Sequence, residues 1–215
     1  SENIKNMNGK ILLESLPINI IKKNNKIIGV EIIYKGKRRK IGCDVLLSSL
    51  AITELPTLLG EEYNKKLDDS IKKLKFKSLI ISYVFLNKDR ALKDNWIFFP
   101  EKEFIFNRVA EQKSFSPYTF PKNKTVITTE ITCDYGDSKY NLPDEKIKKI
   151  VVADLVKADL IKDNEVYDFI VRKAGRVYPV YTIDYKENLD IVRNELDKID
   201  NLYSVGRLGL FNYNN

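Results

Sequence analysis

Leu202-Tyr203-Ser204-Val205-Gly206-Arg207-Leu208-Gly209-Leu210-Phe211-Asn212-Tyr213-Asn214-Asn215 runs an apolar strand straight into two glycines, an arginine and a cluster of amides. Such a junction lets main chain approach a ligand phosphate. The apolar run from Leu202 to Val205 predicts a buried strand. Gly206 removes the side chain that would keep a ligand away, and Arg207 offers a planar fork of donors suited to an oxyanion. No GxGxxG loop occurs anywhere among the 215 residues. A dinucleotide site built here would therefore need a phosphate-cradling first half from outside the chain, and the sequence reads as an internal piece of a larger protein.

Composition narrows the class. At 43% hydrophobic and 31% charged, the chain is globular material, long enough for one substantial core or somewhat more. Apolar runs such as Val45 to Ala51 fall far short of the roughly 20 residues of a membrane-spanning helix, and no signal-peptide pattern opens the chain. A cytoplasmic protein of a reducing compartment is expected. Cys43 and Cys133 are too few and too distant in sequence for a disulfide framework or a zinc knuckle. With no histidine, His-ligated metal sites and His-based triads are excluded within the chain, and no metal is expected. The net charge of +7 comes from Lys-rich turns such as Lys35-Gly36-Lys37-Arg38-Arg39-Lys40. That run sits in a hairpin pattern, so a solvated turn is preferred to a polyanion patch, and no nucleic-acid partner is expected.

Along the chain, Ile11–Leu13, Pro17–Lys23, Lys26–Tyr34 and Arg38–Ile41 read as a β-meander with Gly or Asn-Asn turns. Asp44–Leu50 reads as a continuous apolar strand, and Ile52–Leu59 and Glu61–Leu74 have helical spacing. Alternating strands follow at Ser78–Leu86, Trp96–Pro100, Phe106–Glu111 and Thr125–Cys133. Asp144–Leu160 is the strongest helix, started by Pro143 and Asp144. A strand at Asp163–Val171, a helix at Asn188–Ile199 and the strand from Leu202 close the chain. The fold class expected is α+β with α/β-like edges, in which an antiparallel or mixed sheet packs with helices.

Several of these stretches resemble the FAD-dependent flavoproteins that include amine oxidases, protoporphyrinogen oxidases and UDP-galactopyranose mutases. Gly206-Arg207-Leu208-Gly209 with Phe211 and Tyr213 resembles that family's second FAD motif. Leu16-Pro17-Ile18 is similar to the segment whose backbone reads adenine, and Val45 to Leu50 to the strand that ends beside the cofactor. The resemblance implies FAD as cofactor in the complete protein, with Ile18, Ser49, Leu50, Gly206, Arg207 and Gly209 on it. It also implies residues 1–75 as part of an FAD-binding Rossmann-like domain, 76–200 as an inserted substrate-binding domain, and 201–215 as the closing FAD-motif strand. The missing amino-terminal FAD-binding segment would come from the same parent protein.

Asn95 to Pro100, Phe106-Asn107-Arg108-Val109 and Ser114 to Pro117 are similar to a run in eukaryotic-type UDP-galactopyranose mutases. There the arginine matching Arg108 clamps the substrate diphosphate, a role suited to a guanidinium. The other reading of Arg108 is a surface pair with Glu111. Tyr178-Pro179-Val180-Tyr181 resembles a Tyr-Pro segment facing substrate, and Tyr213 matches a tyrosine spaced after the Gly-Arg pair. Arg108, Tyr178, Tyr181 and Tyr213 are thus the substrate-binding candidates, although aromatics on half-buried strands commonly serve packing. Asn214-Asn215 departs from the mutase pattern. The substrate implied is a small molecule, a nucleotide sugar, handled through flavin N5. Dehydrogenation of an amine or a porphyrinogen-like ring, or an isolated piece that only binds, are the alternatives, and no catalytic residue is assigned.

Overall fold

The computed structural model describes residues 2–60, 65–119 and 121–213. In chain order the elements are α1 (Glu2–Asn6), β1 (Ser15–Lys23), β2 (Lys26–Tyr34), β3 (Lys37–Gly42), β4 (Leu46–Ser48), α2 (Leu55–Leu59), α3 (Lys65–Lys73), β5 (Lys75–Leu86), β6 (Trp96–Phe98), β7 (Arg108–Glu111), α4 (Gln112–Phe115), β8 (Thr125–Cys133), α5 (Asp144–Lys157), β9 (Val166–Val180), α6 (Tyr185–Leu196), β10 (Leu202–Ser204) and α7 (Gly206–Leu210). They part into two compact units, one of residues Ser1–Lys75 with Pro179–Asn215 and one of Phe76–Tyr178. Helix α6 lies in the first unit, whereas the sequence reading carries the inserted segment on to residue 200.

In the first unit, the meander forms as the turn chemistry predicts. Lys35 and Gly36 both take positive φ, as a two-residue turn matching strand twist requires, and Asn24 turns β1 into β2. Strand β2 pairs with β1 on one side and β3 on the other. Ile11–Leu13 forms no strand, because Glu14 takes a left-handed conformation and pairing begins only at Ser15 opposite Tyr34. The run Lys37–Lys40 occupies the exposed edge strand, with Arg39 4.5 Å over the Tyr34 ring and Lys40 3.2 Å from Glu31. Charge on an edge discourages further strand pairing.

Strands β4 and β10 form a separate parallel pair, Leu46 beside Leu202 and Ser48 beside Ser204. Both are shorter than the apolar runs suggest, and Leu47, Tyr203 and Val205 are exposed. The expectation of a buried strand over Leu202–Val205 is thus corrected, since only Leu202 is fully buried there, and the apolar run Asp44–Leu50 pairs as a strand only over Leu46–Ser48. Asn201 ties this pair to the meander. Its side chain accepts from Ile27 N–H at 2.8 Å and donates to the carbonyls of Ile27 at 2.8 Å and Asp44 at 2.7 Å. Helices α3 and α6 pack through Leu67, Ser70, Asn188, Leu189 and Val192. The expected helix start at Glu61 lies outside the described residues, as do Asn214 and Asn215.

The second unit is a five-stranded sheet in the order β6-β7-β8-β5-β9. Alternation decides its faces. Ile80, Val84, Leu86, Val109, Ile127 and Ile131 point to one side, where Ile147, Val151 and Leu155 of α5 close a dry core. Ser82 and Thr129, direct partners across β5 and β8, lie on that same side with hydroxyls that are buried and make no hydrogen bond. Strand β9 runs to Val180 and starts after a single helical turn at Asp163–Glu165, so the expected strand at Asp163–Val171 is displaced and too short. Among the described residues, no helix is long and apolar enough to cross a membrane.

Candidate functional site

The side of the second unit's sheet away from α5 carries the chemistry. Register places Phe98 opposite Arg108, and Arg108 opposite Glu130, so the three lie in one row across β6, β7 and β8. Trp96 stands one pleat away on the same side, opposite Ala110. Nη2 of Arg108 donates to Glu130 Oε1 at 2.5 Å, and the guanidinium lies 5.8 Å from the Phe98 ring centre. The surface-pair reading with Glu111 is therefore corrected. Residues 108 and 111 face opposite sides of the sheet, and Glu111 is fully buried with its own partners.

The hydrogen bond that Arg108 donates to Glu130, followed by that carboxylate's charge and the Tyr178 phenol, pushes the Arg108 pKa up against the opposing effect of burial. Tyr178 thus acts on the same guanidinium. The aromatic rings beside it, Trp96 and Phe98, are half-exposed and more than half-exposed. Together the row offers one forked cation, one carboxylate, a phenol and two apolar ring faces, a set able to grip an anion attached to a ring-bearing group. Trp96, Phe98 and Glu130 are missing from the sequence-derived candidates. Glu130 was legible as the single charge in Thr125–Cys133, one strand from an arginine.

Tyr181 and Tyr213 meet in the first unit with ring centres 5.4 Å apart, edge to face. Their hydroxyls are engaged: Tyr181 donates to Asn212 Oδ1 at 3.0 Å and accepts from Tyr213 N–H, while Tyr213 donates to the Pro179 carbonyl at 2.9 Å. Tyr181 also stacks on Tyr185 at 4.4 Å, and Phe211 lies buried beside both. This cluster secures the segment after α7, whose last carbonyl, of Leu210, accepts from Arg193 at 2.7 Å.

The glycine motif assembles as a compact corner. Gly206 turns from β10 into α7 at φ 73°, and a Cβ there would meet nothing closer than Ser49 Cβ at 3.9 Å. A Cβ on Gly209 would press on the Ser48 carbonyl at 3.0 Å and approach the Leu50 carbonyl at 3.4 Å, so glycine lets α7 seat on the end of β4. Val205 N–H donates to Ser48 O at 2.8 Å. Ser49, Leu50, Gly206, Arg207 and Gly209 are thus brought together, and the Arg207 guanidinium lies 5.9 Å from the Tyr213 ring. Ile18 belongs to the other sheet of this unit. There it falls where the register shifts between Pro17 and Asn19, a bulge that leaves its backbone out of step with β2. Among the described residues, no group of three or more Cys, Asp or Glu could hold a metal ion.

A crystal structure of reduced UDP-galactopyranose mutase superposes with a TM-score of 0.72 at 18% identity, covering 90% of this chain and 40% of its own. A protein of Exiguobacterium sp. 255-15 provisionally assigned as a protoporphyrinogen oxidase gives 0.67 at 16% identity, over 93% and 43%. An oxidoreductase from Methanosarcina mazei gives 0.58 at 18%, over 80% and 40%. These likenesses establish the fold, and the chain spans about 40% of the length of these proteins. No curated protein matches in sequence. The sequence pattern of the GLF family, UDP-galactopyranose mutase, matches residues 61–174, which take in every strand from β5 to β8 and, with them, Trp96, Phe98, Arg108 and Glu130. Matched over more than half its length, the chain belongs to the UDP-galactopyranose mutase family.

Proposed function

We propose that this chain provides the substrate-gripping sheet and part of the FAD-binding unit of a flavoprotein acting on a nucleotide sugar. The observation that carries this reading is Arg108, presented on a sheet face between ring faces and a phenol rather than spent in the core. A diphosphate is a bidentate partner for a guanidinium, and Phe98 and Trp96 offer flat apolar surfaces for the groups attached to it. Arg108 would hold and neutralise the diphosphate as a leaving group, with Tyr178 adding a hydrogen bond. FAD, when bound, would supply reactivity at its N5 atom. Ser49, Leu50, Gly206, Arg207 and Gly209 would face its phosphate-bearing part, and Ile18 its adenine.

Calorimetric titration with UDP, comparing the wild-type chain with Arg108→Ala, tests the proposal. Saturable binding that weakens by about tenfold or more in the variant is expected for loss of a charge-assisted pair. Equal affinity in both would remove the diphosphate role. It would favour the alternative, an oxidoreductase of the amine- or porphyrinogen-oxidising kind, for which the fold is equally suited.

A further inference from the structure

Two ionisable side chains of the second unit are buried without touching the Arg108 row. Glu111 ends β7 on the core side and is fully buried. Its Oε1 accepts from Ala91 N–H at 3.1 Å and the Thr125 hydroxyl at 2.6 Å, its Oε2 accepts from Leu92 N–H at 2.8 Å, and Arg90 Nε stands 3.6 Å away. Two residues on, Lys113 in α4 is only 7% exposed. Its ammonium lies 2.6 Å from Asp89 Oδ1 and within 2.9–3.2 Å of the carbonyls of Asp89, Pro121, Lys122 and Lys124. Three N–H donors are shared among five oxygens, a cage that fits a cation and little else.

Stability alone is a weak reason to keep such groups, since apolar side chains of similar volume commonly serve a fold as well as buried charges do. What the two groups hold supplies a better one. Glu111 pins residues 91 and 92, and its own N–H donates to the carbonyl of Asn95, the residue before Trp96. Lys113 fixes the four-residue helix that sets Phe115 against Trp96, ring centres 5.8 Å apart. Between them Ser114 accepts from Arg90 at 2.7 Å and donates to the Asp94 carbonyl at 3.4 Å. The segment entering Trp96 and the helix carrying Phe115 are thereby fastened to a buried charge or a neighbour of one.

We infer that Glu111 and Lys113 are positioning residues that hold Trp96 and Phe115 as a fixed aromatic wall beside Arg108, and so set the shape of the group that the arginine can receive. The inference rests on the proposed role of Arg108 for its ligand, but the wall has its own reporter, because Trp96 is the only tryptophan in the chain.

The test compares wild type, Lys113→Met, Asp89→Asn, Phe115→Ala and the double variant Lys113→Met/Phe115→Ala. Circular dichroism checks folding, acrylamide quenching reads Trp96, and titration with UDP reads the site. In folded Lys113→Met the quenching constant is expected to rise about twofold and UDP affinity to fall about threefold, the range of a lost aromatic contact. Phe115→Ala should lose as much affinity, and the double variant no more, since both act through one contact. Unchanged quenching in folded Lys113→Met, or additive losses in the double variant, would overturn the inference. Should Lys113→Met not fold, Asp89→Asn decides: increased quenching supports a positioning role, and wild-type quenching leaves Lys113 a purely structural residue. Absence of UDP binding by the wild type would refute the Arg108 reading, while the quenching series would still judge the wall.

Discussion

Replacing Glu130 with glutamine should tighten anion binding at Arg108. In the free protein the Glu130 carboxylate already occupies Nη2 of the guanidinium at 2.5 Å, with the two side chains 31% and 18% exposed. An incoming diphosphate must share the fork with that carboxylate and sit close to its negative charge. At a separation of roughly 6 Å and an effective dielectric near 40, each phosphate charge is repelled by about 1.4 kcal/mol. Solvent screening at this half-open face and the retained amide oxygen reduce the net effect to about 1 kcal/mol, or about fivefold in affinity. The assay is calorimetric titration of Glu130→Gln with UDP at two salt concentrations. The gain should be larger at low salt, and the variant itself should lose only about 0.5 kcal/mol of folding stability. Equal or weaker binding by Glu130→Gln would refute the competition. It would make Glu130 the group that aims the guanidinium rather than its rival.

Asn201→Ala should destabilise the chain by about 2–3 kcal/mol in urea denaturation, because it removes three hydrogen bonds and strands the buried backbone groups of Ile27. Ser82→Ala and Thr129→Val should be neutral or stabilising by up to about 1 kcal/mol, since their buried hydroxyls make no hydrogen bond. Thr125→Val, which takes a donor from buried Glu111, should by contrast cost about 1–3 kcal/mol. Glu165 is held below its ordinary 4.5 by the N–H of Lys162 and then by Lys88. A depressed carboxyl contributes fully above its unfolded value and loses that contribution as pH falls through the folded one. Denaturation midpoints should therefore drop between about pH 5 and pH 3, and drop less in Glu165→Gln.

How well each element could be read depended on whether its burial had a single clean period. Thr125–Cys133, rich in β-branched residues, is found with both ends in place, as is the meander strand Lys26–Tyr34. The end of β9 was hidden, because Arg172, Lys173, Gly175 and Arg176 interrupt its apolar pattern with groups that read as loop. Those residues are tolerated because β9 is an edge strand with one open side. The parallel pair was overestimated in length and burial, since apolar residues at Val45, Leu47, Tyr203 and Val205 are uncovered in this chain. Arg108 and the glycine corner were legible as motifs. Glu130, Trp96 and Phe98 were not, because their meeting depends on cross-strand register, which lies beyond any local pattern. Glu111 read only as the partner in a surface pair for the same reason, and nothing in the local pattern singled out Lys113. Only the fold of the loops around them takes them inside.

The most direct test of the Arg108 site is nitrogen-15 NMR of the arginine side-chain Nε–H signals and the Trp96 indole during titration with UDP-galactose. The Arg108 and Trp96 signals should shift together and saturate at one ligand concentration, while Arg172 and Arg193 stay in place. A stationary Arg108 signal, with shifts elsewhere or none at all, would contradict the assignment of this sheet face as the place where substrate is held.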